Sequence, residues 1–366
     1  MRMTEDGRLA VSYNGTPAYD IIWEQNFEGI AAEIERIGLA GRRFCIVTDS
    51  NVAPFHLDAL KKAIAPAALK VTEYVFPAGE ASKNLDTVKG VYTHLIEEAY
   101  ERKDCLIALG GGVVGDLTGY TAATYLRGIR FIQVPTTLLS MVDSSIGGKT
   151  GVDFDRYKNM VGAFHQPSLV YMNLNTLLTL SAREYLSGMG EIIKHGLIKD
   201  KDYYEWLSAN REGILAREYR TLLTMIRESC DIKRGVVERD PKEAGERALL
   251  NFGHTLGHAV EKLKDLKLLH GECVAIGMAA ASEISWRKGF LSKEEYEGIV
   301  RVIESFSLPV TVSGIDAQDV VETAGHDKKM EGGKWKFILL ERIGNAIIDR
   351  TVTREDAKAA AMNVIR

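Results

Sequence analysis

From the N-terminus to about Leu180, short β-branched runs alternate with segments whose apolar residues recur at helical spacing. FCIVT (Phe44 to Thr48), VTEYVF (Val71 to Phe76), CLIAL (Cys105 to Leu109), FIQV (Phe131 to Val134) and LVYM (Leu169 to Met172) read as strands. Between them, segments such as LDTVKGVYTHLIEEAYE (Leu85 to Glu101) place apolar residues every three or four positions, the period of an amphipathic helix. Strand, helix, strand repeated in this way predicts a parallel sheet flanked by helices. After Leu180 the helical period dominates. SAREYLSGMGEIIKHGLI, the segment from Tyr219 to Val237, RALLNFGHTLGHAVEKL and GECVAIGMAAASEISWRK each predict a helix. KFILLE (Lys336 to Glu341) predicts one late strand, and a closing helix starts at Thr353. The pattern therefore predicts an α/β domain over residues 1–180 and a mainly α-helical domain over 181–366.

Composition narrows the function classes. Of 366 residues, 46% are apolar and 26% charged, enough to bury a large core. Forty-six basic against 50 acidic residues give a net charge of −4, and no Lys/Arg-rich run stands out. Nucleic-acid binding by bulk charge is excluded. The longest apolar stretches, Cys105 to Gly115 and Cys273 to Ala281, fall short of the ~18 residues that a membrane span needs. The first residues, MRMTEDGRLAVSYNG, lack the apolar core of a secretory signal, so a cytoplasmic protein is expected. The four cysteines are scattered without a C-x-x-C pair, which argues for buried free thiols in a reducing compartment.

Strand CLIAL runs into Gly110-Gly111-Gly112-Val113-Val114-Gly115-Asp116, and glycines 110, 112 and 115 satisfy G-x-G-x-x-G before a helix predicted from Asp116 to Leu126. Such a turn lets backbone approach a pyrophosphate at a helix N-terminus, as in a Rossmann-like nucleotide domain. The acid that usually holds the ribose about 20 residues further on is missing, since no Asp or Glu lies between Leu117 and Val142. Asp49, ending strand FCIVT, is the substitute candidate. Thr136 and Thr137 follow FIQV, where they can cap a helix or donate to a phosphate or nicotinamide. GGKT (Gly147 to Thr150) is no P-loop, because Asp143 stands where its first glycine is required. Lys149 and the pair Lys158-Asn159 remain as polar side chains beside glycine turns.

The densest chemistry lies in RALLNFGHTLGHAVE. If this segment is one helix, Arg247, Asn251, His254, His258 and Glu261 share a stripe less than ~90° wide. Solvent faces are dominated by Lys and Glu, so two histidines with an arginine, an amide and a carboxylate point to a site. Histidines at i, i+4 can share a metal, but H-T-L-G-H lacks the glutamate of a zinc protease. His270 follows at the next helix start, and GEIIKHG upstream sets Glu191 and Lys194 on one face, with Glu184 and Ser187 on the same side. Residue chemistry leaves the ligands open between His254, His258 and His270 and a set that includes Glu191.

These segments together resemble the 3-dehydroquinate synthase family of sugar phosphate cyclases. VTDSNV, PAGEASKN, GGGVVGD, YLRGIRFIQVPTTLLSMVDSSIGGKTGVD, KNMVGAFHQP, GMGEIIKHG, RALLNFGHTLGHAVE and HGECVAIGM carry the resemblance through most of the chain. It implies a nucleotide-binding α/β domain, a helical domain and an active site in the cleft between them. It implies Zn2+ or Co2+ on Glu191, His254 and His270, with His258 moving protons and Glu243 acting as a general base. Substrate carboxylate and phosphate fall to Asp143, Lys149, Asn159, Lys194, Lys233, Arg247 and Asn251, and to Lys328 or its neighbour Lys329. Lys149, Lys194 and Lys233 also count among the catalytic candidates, and Arg127 matches an arginine that reaches in from the other subunit of a homodimer. NAD falls to Asp49, Glu80, Lys83, Gly112, Val113, Val114, Gly115, Asp116, Thr136, Thr137, Lys158, Thr176, Leu177, Leu178 and Thr179. The implied reaction converts 3-deoxy-D-arabino-heptulosonate 7-phosphate to 3-dehydroquinate and phosphate, on the shikimate route to chorismate. Two relatives of the same architecture compete: a sister cyclase of the 2-deoxy-scyllo-inosose synthase type and a metal-dependent glycerol-type dehydrogenase.

Overall fold

The apolar runs of the first half become strands of one seven-stranded sheet. The structure is a computed structural model that describes residues 7–155, 157–265, 267–325, 330–331 and 334–366. The chain divides into two units, Met1–Ser181 and Ala182–Arg366. The first contains β1 (Leu9–Tyr13), β2 (Thr16–Glu24), α1 (Ile30–Arg36), β3 (Arg42–Asp49), α2 (Ala53–Ile64), β4 (Ala68–Phe76) and α3 (Leu85–Glu97). It continues with β5 (Cys105–Gly110), α4 (Gly112–Thr124), β6 (Arg130–Pro135), β7 (Lys149–Phe154), β8 (Tyr157–Phe164) and β9 (Leu169–Asn173). Strand order is β1-β2-β9-β6-β5-β3-β4, parallel except for the β1–β2 hairpin.

Period-2 alternation gives both faces of this sheet a core. Phe44, Ile46, Cys105 and Ile107 pack with Ile30, Ile34, Leu60 and Ile64 of α1 and α2. Their neighbours Cys45, Val47, Leu106 and Ala108 pack with Val88, Val91, Val114 and Leu117 of α3 and α4. Burial on both faces is why these strands read as continuous apolar runs. Chain order reverses between β3 and β5: β3 leads outward to β4, whereas β5 leads the other way to β6. In open α/β sheets, ligands bind at such a switch point, outside the carboxyl ends of the strands.

The second unit holds α5 (Ala182–Lys199), α6 (Lys201–Ala209), α7 (Arg211–Leu215), α8 (Tyr219–Arg239), α9 (His254–Leu263), α10 (His270–Arg287), α11 (Lys293–Ser305) and α12 (Ala317–Gly325). The short strands β10 (Met330–Glu331) and β11 (Lys334–Trp335), the hairpin of β12 (Phe337–Arg342) and β13 (Asn345–Asp349), and α13 (Arg354–Val364) complete it. Its core joins Leu256 and Val260 of α9, Ile276, Ala280 and Ile284 of α10, Phe337 and Leu339 of β12, and Ala361 of α13. No helix among the described residues is long and apolar enough to cross a membrane.

Three expectations need correction. The helix expected from Asp116 begins four residues earlier, because Gly111 in extended conformation already serves as its N-cap. The hairpins β1–β2 and β7–β8 were not expected. Most importantly, the segment from Arg247 to Leu263 is not one helix. A 3₁₀ turn (Glu246–Asn251) ends before Gly253, which adopts a left-handed φ of 80°, and α9 starts at His254. A Cβ on Gly253 would lie 2.8 Å from the Val274 carbonyl oxygen and the Met278 amide nitrogen of α10. Close packing on α10 breaks the helix there, so Arg247 and Asn251 do not continue the stripe of His254, His258 and Glu261.

Candidate active site

In the second unit the site begins with how closely α5 and α10 approach. Gly271, the second residue of α10, faces the Ser187 carbonyl of α5 so tightly that a Cβ would collide with it. Its amide donates to Ser187 Oγ at 3.1 Å. This contact sets His270, the first residue of α10, over Glu191, one turn beyond Ser187 on α5. Glu191 is completely buried, and its Oε1 lies 3.3 Å from His270 Nε2 and 3.5 Å from His254 Nε2. The amine of Lys194, also buried, donates to Glu191 Oε2. Ligand atoms from Glu191, His254 and His270 all fall within 4.8 Å of one another. A second such group joins His258, Glu261 and His270.

The rings of His254, His258 and His270 stand 4.9 to 5.8 Å apart, centroid to centroid. His254 Nδ1 lies 3.1 Å from the Phe252 carbonyl oxygen, so the lone pair left for a cation is on Nε2. His270 Nδ1 faces Glu261 Oε2 at 3.7 Å. Burial works against a charge on His270, and the two carboxylates that face it, Glu191 and Glu261, work the other way. A buried carboxylate with two imidazoles is the donor set of a catalytic zinc site. Four ligands at ~2.0–2.1 Å in a tetrahedron are separated by about 3.4 Å, and the two Glu191–histidine distances match that spacing.

A loop beside this cluster carries three further candidates. Asp240 accepts the amides of Ala244 (2.8 Å), Gly245 (2.7 Å) and Arg247 (2.9 Å). Burial alone would raise its pKa, but these amides hold it below the usual carboxylate range. The loop so fixed keeps Glu243 at a left-handed φ of 60°, with Glu243 Oε1 accepting from Asn251 Nδ2 at 2.7 Å. Arg247 is buried, and one guanidinium nitrogen donates to the Pro241 carbonyl. Glu246 ties the loop to Lys199 of α5 (2.5 Å) and Arg239 of α8 (2.6 Å), whose cations pull its pKa down to about 2. Lys233 is buried on α8. Lys328 lies outside the described residues.

In the first unit, register gathers the nucleotide candidates at the carboxyl ends of adjacent strands. Thr48 pairs with Leu109 and Gly110 with Pro135, which aligns Asp49, Gly111 and Thr136 along one edge of the switch point. Asp49 Oδ1 accepts the amides of Asn51 and Val52. Thr137 Oγ1 accepts the Ser140 amide, so Thr137 caps the turn that carries Asp143. Cβ atoms on Gly111 and Gly112 would come within 3.2 Å of Thr137 and Ser144, so side chains there would fill the cradle. The buried Lys83 amine donates to Asp116 (2.6 Å) and to Asn159 (2.7 Å), joining a nucleotide candidate to a substrate candidate. Val114 and Leu177 turn their side chains into protein, leaving only backbone to offer a ligand, whereas Leu178 and Thr179 are exposed. Glu80 opens a short 3₁₀ turn, and Thr176 is buried with its hydroxyl on the Asn173 carbonyl. Lys149, Lys158 and Asn159 are exposed residues of the β7–β8 hairpin. Arg127 is exposed on a turn where Leu126 (φ 49°) and Arg127 (φ 68°) are both left-handed.

Sequence reasoning assigned no role to Asp240, and none to Glu261 beyond its place on the stripe. Asp240 had a signal in Asp-Pro, a pair that favours turn initiation.

Comparison with known proteins agrees along the length of the chain. The family model described as 3-dehydroquinate synthase N-terminal matches residues 73–187, and the C-terminal model matches residues 188–330. A 3-dehydroquinate synthase of Acetivibrio thermocellus is 42% identical over 339 residues, 93% of this chain and 94% of that protein. Among solved structures, 2-deoxy-scyllo-inosose synthase complexed with carbaglucose-6-phosphate, NAD+ and Co2+ superposes with a TM-score of 0.89 at 23% identity, covering 98% of this chain and 100% of that one. A 2-epi-5-epi-valiolone synthase of Streptomyces hygroscopicus subsp. jinggangensis, with NAD+ and Zn2+ bound, gives 0.87 at 28% identity over 97% and 99%.

Proposed function

The chain belongs to the 3-dehydroquinate synthase family, and we infer that it performs that family's reaction, converting 3-deoxy-D-arabino-heptulosonate 7-phosphate to 3-dehydroquinate and phosphate. One observation carries this reading to the chemistry: Glu191 Oε1, on a completely buried side chain of the second unit, stands 3.3 and 3.5 Å from two imidazole Nε2 atoms. Glu191, His254 and His270 would hold Zn2+ or Co2+, and the turn at Gly111 and Gly112 with Asp49, Lys83 and Asp116 would hold NAD. The valiolone synthase, which carries NAD+ and Zn2+, supports both assignments. Bound there, a divalent cation supplies Lewis-acid polarisation of a secondary alcohol, and NAD supplies a hydride acceptor that is restored within the cycle.

The chain's own residues do the rest. Lys194, Lys233 and Arg247 bring cationic donors to a substrate that carries a carboxylate and a phosphate, groups that such side chains match. Asp143, Lys149, Asn159 and Lys328 join them as substrate contacts. Burial of Lys194 and Arg247 keeps water from screening that attraction. His258 moves a proton at a substrate oxygen, and the Glu243 carboxylate, oriented by Asn251, accepts one. The test is to supply the heptulosonate phosphate with NAD far below the substrate concentration. Equal amounts of phosphate and dehydroquinate are expected. NADH accumulating until the added NAD is used up, with turnover stopping there, would instead identify a dehydrogenase.

The proposal extends to assembly and place. A homodimer through the β7–β8 hairpin is supported by Phe154, Tyr157, Met160 and Phe164, each about half exposed (48–52%) on one short ribbon. Arg127 is the residue proposed to enter the partner's site, and backbone strain at its turn is the kind of cost found at functional positions. A cytoplasmic location is supported by four buried free cysteines, of which Cys45 has its pKa pushed by burial up to about 12.

A further inference from the structure

We propose that Glu261 is a positioning residue that fixes the ring of His270, so that the ring nitrogen facing Glu191 is the one available to a cation. The inference rests on the metal assignment above and deepens it. The two nitrogens of His270 face two different carboxylates: Nε2 lies 3.3 Å from Glu191 Oε1, and Nδ1 lies 3.7 Å from Glu261 Oε2. A neutral imidazole carries one N–H and one lone pair. A ring that keeps its hydrogen on Nδ1, the side of Glu261, has its lone pair on Nε2, toward Glu191 and His254.

Glu261 is placed for this by α9 itself. It stands seven residues after His254 and three after His258, on the same helical face, and is 9% exposed. The helix that contributes one ligand therefore orients the other. His254 is held by an equivalent device with a different acceptor, the Phe252 carbonyl at 3.1 Å from its Nδ1. The backbone can serve His254 because the chain turns at Gly253. His270 opens its helix with Nδ1 turned to α9, where a side chain serves instead.

Outer-shell partners of this kind are worth about 10- to 100-fold in metal affinity. The experiment measures zinc affinity by competition with a chromophoric chelator, and the absorption of the cobalt-substituted protein, for wild type, Glu261→Gln and Glu261→Leu. The glutamine can still accept the Nδ1 hydrogen and guards against a variant that fails to fold. Expected is one metal per chain throughout, unchanged cobalt bands, and affinity falling in the order Glu, Gln, Leu, with about 10- to 100-fold lost at Leu. Wild-type affinity in the leucine variant would overturn the proposal. So would altered cobalt bands in either variant, which would make Glu261 a ligand alongside His258 and His270. Failure of the wild-type protein to bind metal would sink the metal assignment itself, a separate result.

Discussion

His254 and His258 are alike in type and one helical turn apart, ~6 Å along the axis, yet their surroundings differ. His254 Nε2 faces Glu191, while His258 groups with Glu261 and His270. This predicts different consequences for the same substitution. His254→Asn should lose metal and activity together. His258→Asn should keep one metal per chain and lose activity by ~10²–10⁴-fold, as for a missing acid/base group. Zinc content and turnover measured on both variants decide it, and a metal-free His258→Asn beside a loaded His254→Asn would exchange the two roles. The histidines were legible in the sequence because unusual residue types crowd one short segment. Residue chemistry alone left Glu191 as one of two options, and the family resemblance singled it out, since it lies far upstream and reaches His270 through the contact of Gly271 with Ser187. Asp240 escaped notice because it works by accepting backbone amides, which leave no periodic trace.

At the scale of elements, strands buried on both faces were readable as apolar runs, and α5, α8 and α10 as long amphipathic or apolar helices. The period drawn through Gly253 failed because a tertiary contact with α10, rather than a local signal, breaks the helix. The β7–β8 hairpin escaped for the opposite reason. Its largest apolar side chains are half exposed and its strand β8 is mostly exposed, so only Val152 and Val161 mark an inward face. The homodimer proposed above would cover this apolar ribbon with a second copy of the chain. Phe164→Glu would bury a carboxylate in that contact, and sedimentation should shift from dimer to monomer while the fold is retained. A monomeric wild type, or a variant that dimerises as tightly as wild type, would contradict the assignment.

On the proposed assignments, the first unit carries the nucleotide residues and the second the metal residues. The first aligns Asp49, Gly111 and Thr136 at a switch point, and the second converges Glu191, His254 and His270. The absent acid after the glycine turn is explained by topology. The strand across the switch from β5 is β3, which precedes it in the chain, so the carboxylate at that edge is Asp49, upstream of the motif. Separate nucleotide and metal halves would also serve a simple dehydrogenase, so the central claim is that the redox change is undone within each turnover. The direct measurement follows a substrate deuterated at the carbinol carbon that is oxidised, with NAD in sub-stoichiometric amount. The account predicts that 3-dehydroquinate retains the deuterium, while deuterium passing into a growing pool of NADH, or lost to solvent, would contradict it.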